Sequence, residues 1–353
     1  MRLLLLLRRL FGTALALGVL ASVVFLLSHQ QPGSGPEEQL LPERGDLSGT
    51  MAGTAAAREQ AVAQLRHRFG LDMPLFYVSH RPDGQPGWRW NGFHNQYHQW
   101  LRTLLRGDLG VSLRSGQPVA TLLIGALAYT LPLMAAALAL VVLAALLLGQ
   151  QLAAPPRWWH GPVRSALVSL HSIPLFVVAL GLLLLFANPE FLDWFPVYSN
   201  LGEETPLSWS QLGVGSARLV LPVISLVLVA LPDLTLQLEA ALRQELRTDY
   251  AITARAKGLG EGQVIRHHAL ANALLPTITQ VTELLPVLVS GALVVEVVYA
   301  LPGMGRLLAE AATRYDYPVL IGGVLLVGTA RLLTLLLADG LYSWADPRIR
   351  WLA

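Results

Sequence analysis

Glu283 and Arg331 stand in the middle of long apolar runs, while Asp233, Glu239, Glu296 and Asp339 stand nearer the ends of such runs. Charge inside a bilayer is expensive, so ionisable groups there usually pair, line a polar path or relay protons. Glu283 and Arg331 are candidates for a pair across helices or for a polar path, and Glu296 is a further pathway candidate. For the acids near helix ends, snorkelling or capping is an equally good reading. His94 and His98 are four apart, a spacing that could offer two imidazoles to a metal from one helix face. Pro and Gly lie so close that a surface loop explains the pair better. Other chemistries fail for want of the residue. With no cysteine in the chain there is no disulfide framework, thiolate nucleophile or thiolate metal site. Lys257, the one lysine among 25 basic residues, sits between Ala256 and Gly258. A phosphate-binding P-loop needs Gly-Lys followed by Ser or Thr, so none is encoded. Neither a Gly-x-Ser-x-Gly elbow nor a His-Glu-x-x-His zinc pair occurs, which argues against an intramembrane protease.

The elements that must position these groups follow from composition. Of 353 residues 54% are hydrophobic and 14% charged, too little charge for a water-facing surface, so an all-α integral membrane protein is expected. A net charge of +2, with arginines scattered among acids, offers no face for nucleic acid. Six spans are expected: one within residues 1–28, then roughly Thr121–Leu148, Ser165–Ala187, Leu219–Leu238, Leu274–Val298 and Val319–Leu341. Each reaches the roughly 20 residues a bilayer requires. Arg2, Arg8 and Arg9 precede the first run; a cleaved signal peptide is its alternative. From Ser115 to Pro156 no charge occurs for 42 positions. One long span fits this better than a hairpin of two, because no polar turn interrupts it and Pro132 only kinks a membrane helix.

Residues 29–114 are the only sizeable region outside these runs. Ala55–Phe69 reads as an amphipathic helix, Ser79–Asn95 as a loop and Tyr97–Leu105 as a helix with an aromatic face. Trp88, Trp90, Phe93, Tyr97 and Trp100 can grip peptide side chains, yet such residues also gather where protein meets the membrane interface. Core residues 115–342 follow, with a tail at 343–353. A cytoplasmic N-terminus puts Arg157, Arg164, Arg243, Arg247, Arg255, Lys257 and Arg266 on inner segments. Asn188–Ser216, which holds Glu190, Asp193, Glu203 and Glu204 and no Lys or Arg, is then outside. That is the positive-inside pattern; it places both termini in the cytoplasm and the 29–114 region outside.

One inner segment, within residues 243–275, is unusually ordered. Asp249–Lys257 and Gln263–Leu275 read as two short helices around Gly258-Leu259-Gly260-Glu261-Gly262, since glycine accepts the left-handed backbone that closes a helix. The product is a helix-turn-helix knob at the membrane surface.

Here the chain resembles the inner-membrane permease subunits of binding-protein-dependent ABC importers, of the dipeptide, oligopeptide and nickel class. The resemblance rests on LLRGDLGVSLRSGQPV at Leu104–Val119, TARAKGLGEGQVIRHHALANALLP at Thr253–Pro276, VVEVVYALPGMGRLL at Val294–Leu308, and YDYPVLIGGVLL from Tyr315 continuing to ADPRIR at Arg350. It implies that the knob is the coupling loop that docks on a separate ATPase subunit, with coupling residues Asp249, Tyr250, Ala254, Arg255, Ala256, Lys257, Gly258 and Asn272. Ala254, Ala256 and Gly258 match its small positions, and Arg255 and Lys257 its basic ones, able to pair with acids of the ATPase. Asn272 and Pro276 match the return into the fifth span, Glu296 an acid near its outer end, Pro302-Gly303-Gly305 the loop behind it, and Asp339 with Asp346-Pro347-Arg348 the closing pattern. Implied partners are a second, similar permease, two ABC ATPases below, a solute-binding protein above and membrane lipid. ATP would be used by the partners, with no cofactor in this chain and no enzyme activity of its own, in a bacterial inner membrane. Three departures stand out: Ala271 where a basic residue is common, Glu283 where an apolar or amide residue is usual, and the 79–95 stretch, which looks inserted. Cargo stays open among dipeptides, longer or antimicrobial peptides and metal chelates. Two other classes remain: a proton-coupled secondary transporter using Glu283, Glu296 or Asp339, and a membrane assembly protein that transports nothing.

Overall fold

The computed structural model describes residues 2–28, 73–80, 87–196 and 212–345. The helix expected at 55–69, the acids Glu203 and Glu204, and Asp346-Pro347-Arg348 lie outside the described residues. In chain order the elements are α1 (Arg2–Ser28), β1 (Val78–His80), β2 (Trp88–Trp90), α2 (Gln96–Leu105), α3 (Val119–Ala153), α4 (His160–His171), α5 (Leu175–Phe186), α6 (Leu212–Glu245), α7 (Asp249–Ala256), α8 (Glu261–Val264), a π-helical turn (Ile265–Ala269), α9 (Leu270–Val298), α10 (Met304–Thr313) and α11 (Tyr317–Ala345). The chain forms two compact units, Met1–Ile124 with Leu308–Gly328 and Gly125–Leu307 with Thr329–Ala353.

Among the described residues, three helices are long and apolar enough to cross a membrane: Val119–Ala153, Ala217–Glu245 and Gln280–Val298. A fourth crossing is possible if α4 and α5 count as one broken span. Apolar helical stretches at Ala14–Val23 and Tyr317–Arg331 are shorter. The run after Ser115 is one continuous helix, α3, of 35 residues. The run expected as a single third span is instead a bent pair, α4 and α5 meeting at 107°. Ser172-Ile173-Pro174 accounts for the break, because proline lacks an N–H and pushes the residue before it out of helical geometry.

In the first unit the stretch expected as loop takes part in a short antiparallel strand pair, with Val78 opposite Trp90 and His80 opposite Trp88. Aromatic and β-branched residues suit such a pleat. Asn95 caps α2, its Oδ1 accepting the His98 N–H at 2.7 Å. The Tyr97 and Trp100 rings pack on Phe25 of α1, with centroids at 5.5 and 5.0 Å. His98 Nδ1 is spent on the Tyr77 hydroxyl at 3.0 Å. No group of three or more metal-ligating side chains forms among the described residues.

The second unit is built from helical stripes that repeat every four residues. Leu133, Ala137, Val141 and Ala145 on α3 are fully buried. They share one core with Leu226, Ala230 and Leu234 on α6 and Leu284, Leu288 and Ala292 on α9. Opposite this stripe Leu131, Leu140, Leu143 and Leu147 are exposed, so α3 is apolar all round, as a helix facing lipid must be. Small residues set the approach distance: a Cβ on Gly149 would lie 2.9 Å from Leu238.

Candidate functional site

The knob after α6 is one packed body with its own core. Leu238, Leu242 and Leu246 of α6, Ala251 and Ala254 of α7, Val264 and Ile265, and Ala269 and Ala273 are all buried against one another. Ala251 and Ala254 are three apart and so share a face of α7; that face is turned inward. The opposite face, with Asp249, Tyr250, Ile252, Thr253, Ala256 and Lys257, is exposed.

Helix α7 is closed by a complete glycine motif. Gly258 has φ +87°, the left-handed region. The Leu259 N–H bonds to Ala254 O at 3.3 Å, and the Gly258 N–H to Arg255 O at 2.9 Å. This satisfies the orphan carbonyls of the last turn, and Leu259 folds back onto the same apolar core as Ala254. On the other side of the turn the Gly260 N–H donates to Gln263 Oε1 at 3.2 Å. The expected second short helix is not separate from the following span. From Glu261 the backbone runs through α8 and the π-helical turn directly into α9.

Two side-chain links hold α7 in place. The Arg255 guanidinium donates to both oxygens of Glu261, at 2.9 and 2.8 Å, and to the Leu246 carbonyl at 2.9 Å. It therefore bridges the end of α6 and the start of α8. This hydrogen-bonded partner holds the Glu261 carboxyl below the usual carboxylate range, partly opposed by desolvation, and holds the guanidinium above its own. Bidentate geometry of this kind is the strong form of an ion pair. The second link is a chain: Tyr250 donates to Glu245 Oε2 at 2.5 Å, and Asn272 Nδ2 donates to the Tyr250 hydroxyl at 3.1 Å. Of the eight coupling candidates, Ala254 thus packs inward and Arg255 is engaged within the knob. Tyr250 and Asn272 are joined to each other, and Asp249, Ala256, Lys257 and Gly258 are exposed. Ala271 is exposed on the same body.

Sequence reasoning missed Glu245, Glu261 and the Leu246 carbonyl as partners. An Arg and a Glu six residues apart across a glycine turn was the available signal, though it needs the turn geometry to be read. Next to the knob, Glu239 is buried between Arg164 of α4 and Arg243, whose Nε lies 2.9 Å away. Arg243 Nη2 also donates to Leu152 O at 3.2 Å. A further pair, His171 Nδ1 to Asp233 Oδ1 at 2.8 Å, lies farther along. Because 164 meets 239 and 171 meets 233, α4 runs antiparallel to α6.

The pathway candidates do not gather. Glu283 and Arg331 are both exposed on the single chain, and among the described residues no ion pair joins them. Glu296 is fully buried, with its carboxyl oxygens taken by Thr130 at 2.6 Å and by the Gly305 N–H at 2.5 Å.

Comparison with known proteins places the chain in a family. Residues 141–351 match the family described as binding-protein-dependent transport system inner membrane component. Three relatives align over most of both chains. The probable D,D-dipeptide transport system permease protein DdpB of Escherichia coli (strain K12) is 30% identical, over 97% of this chain and 96% of its own length. The dipeptide transport system permease protein DppB of Alkalihalophilus pseudofirmus is 30% identical, over 93% and 94%. The di/tripeptide transport system permease protein DppB of Pseudomonas aeruginosa is 33% identical, over 88% and 91%. A match across the whole second half of the chain, with near full-length alignment to three permeases, means that this chain belongs to the family of inner-membrane components of binding-protein-dependent transport systems.

Proposed function

We propose that this chain is the permease subunit of an ATP-driven importer for peptides or related small solutes, and that its α7 knob receives the motion of a partner ATPase. The observation that supports this best is the knob itself. It is a short helix with an inward apolar face, a glycine closure and two side-chain links, leaving one face free to dock. A linker between two helices needs none of these. The chain carries no P-loop, so ATP is consumed by two ABC ATPases on the cytoplasmic side. A second, similar permease completes the pathway, and an extracytoplasmic solute-binding protein delivers cargo. The names of the relatives point to short peptides as that cargo.

On this reading the chain crosses the bacterial inner membrane six times, counting α1, α11 and the bent α4–α5 pair, with both termini in the cytoplasm. Closure of the ATPases moves the knobs and switches the paired permeases between inward-facing and outward-facing states, a two-state rigid-body change. Reconstituting the full assembly in proteoliposomes tests this. Uptake of a labelled dipeptide should require ATP and the binding protein and should stop with a hydrolysis-dead ATPase. Uptake that persists with the dead ATPase and collapses with the proton gradient would establish the proton-coupled alternative.

A further inference from the structure

Glu296 is the acid most at odds with its surroundings. It belongs to the apolar run VSGALVVEVV and has no exposed surface. A carboxyl group there must be compensated by hydrogen bonds, and the structure shows which ones. Residue 296 uses its backbone and its side chain on the same turn. Helix α9 ends at Val298, with Ala300 at φ +54°, a conformation that glycine usually supplies. The Leu301 N–H closes back onto Glu296 O at 2.9 Å and the Ala300 N–H onto Val297 O at 3.3 Å. The Glu296 carboxyl then reaches past the turn to the start of α10, where Gly305 donates to Oε2 at 2.5 Å. Thr130 of α3 donates to Oε1 at 2.6 Å, and its hydroxyl oxygen accepts the Met304 N–H at 2.9 Å. One hydroxyl thus serves as donor and acceptor at once, and two orphan N–H groups of the first turn of α10 are satisfied.

The fit leaves no slack. A Cβ on Gly303 would run into the Glu296 carboxyl, and one on Gly305 into the backbone of Leu293. Arg306 Nη1 donates to Ala300 O at 2.6 Å. Tyr299 next door donates to Ala179 O on α5 and bonds to Ser225 on α6, both at 3.0 Å. A non-glycine residue held at positive φ persists only where its surroundings over-determine it, and these bonds do so.

The other end of the same helical rod is the coupling knob, since the backbone is continuously helical from Glu261 to Val298, about 55 Å at 1.5 Å per residue. We propose that Glu296 is a positioning residue for transport, not a pathway acid: its carboxyl group, fixed by Thr130, latches the far end of the rod and the Leu301–Gly305 turn onto α3. A displacement imposed at the knob is then delivered to this turn instead of being lost in a sliding helix end. The latch rests on the permease reading for its functional consequence, but its geometry can be tested without transport.

Because the natural chain has no cysteine, Pro302→Cys provides a single reporter for maleimide labelling of the detergent-purified protein. Thr130→Val and Glu296→Gln should each raise the labelling rate about tenfold, the scale of one lost buried hydrogen bond, whereas Thr130→Ser, which keeps the hydroxyl, should leave it unchanged. In the reconstituted transporter, Thr130→Val and Gly303→Ala should lower maximal uptake about tenfold and raise the ATP consumed per substrate imported. KM should be unchanged and Thr130→Ser should transport like the native chain. The double variant T130V/E296Q should be no worse than the poorer single one, as expected for members of one unit. Labelling and uptake of Thr130→Val equal to native, together with loss of uptake and a flattened pH profile in Glu296→Gln, would overturn the latch and make Glu296 a titrating pathway group. A native assembly that imports nothing while the labelling pattern holds would count against the permease reading and leave the latch standing.

Discussion

The Ser112 hydroxyl donates to Asp316 Oδ2 over 2.5 Å, although 204 positions separate the two residues. The same carboxylate accepts the Leu113 N–H at 3.2 Å, and both Ser112 and Asp316 are buried. Asp316 stands just before α11 and its backbone carbonyl accepts the Leu320 N–H at 3.0 Å. One acid therefore starts a helix and anchors the 110–118 loop of the first unit.

Replacing Asp316 with Ala should be costly, because it strands a buried hydroxyl and a backbone N–H. Each such group costs about 1–3 kcal/mol. The purified protein should melt several degrees lower, with Ser112→Ala intermediate. A D316A variant that melts like the native chain would show that water replaces the bond without loss.

The Arg255–Glu261 bridge should set the angle of α7. Arg255→Ala and Glu261→Ala should both weaken co-purification with the partner ATPase, because each removes the link that holds the end of α7 to the start of α8. The swap R255E/E261R should recover part of the loss; the bond to the Leu246 carbonyl is not restored by it. If instead Arg255 contacts the ATPase directly, Glu261→Ala will be harmless and the swap no better than Arg255→Ala.

This bridge also fixes a pH dependence. The Glu261 carboxyl titrates below its ordinary value in the folded chain because of Arg255. Its stabilisation is therefore fully present above the unfolded value of about 4.3 and is lost as pH falls through the depressed folded value. Between about pH 5 and 8, above both values, the bridge should contribute equally throughout. Thermal stability measured against pH should show an acid-side loss in the native chain that is smaller in Glu261→Gln.

The glycines of the knob should divide by conformation. Gly258 lies at φ +87° with open space where a Cβ would go, so Gly258→Ala is penalised by backbone strain alone, about 1–2 kcal/mol. Gly260, at φ −66°, should accept Ala with no loss of uptake. Equal effects at the two positions would remove the left-handed closure as the explanation.

Ala254 and Ala256 should separate packing from docking. Ala254 is 6% exposed, so Ala254→Leu overpacks the knob and should cost about 1–3 kcal/mol of stability. Ala256 is exposed; Ala256→Leu should leave melting unchanged and reduce ATPase binding. Parallel melting and co-purification assays distinguish the two outcomes.

Helix α3 and the knob could be read from local pattern because their causes are local. Forty-two uncharged residues leave a helix as the only backbone that satisfies itself in lipid, and three glycines in five residues mark the end of another. The α4–α5 bend was harder, since Pro174 looks like Pro132, which α3 absorbs. Whether a proline bends a helix by 107° or merely interrupts a ladder depends on what packs on either side.

The amino-acid sequence by itself determined the membrane character, the missing P-loop, the glycine-closed turn after α7 and the family pattern spread along the chain, because each rests on residue type and short spacing. Only the tertiary structure decided what the charged and small residues do. Arg255 binds Glu261 across a turn, Glu296 reaches Thr130 over 166 positions, and Ala254 faces inward while Ala256 faces out. Partnership of that kind is set by how helices pack and which way each face turns, and no spacing along the chain encodes it.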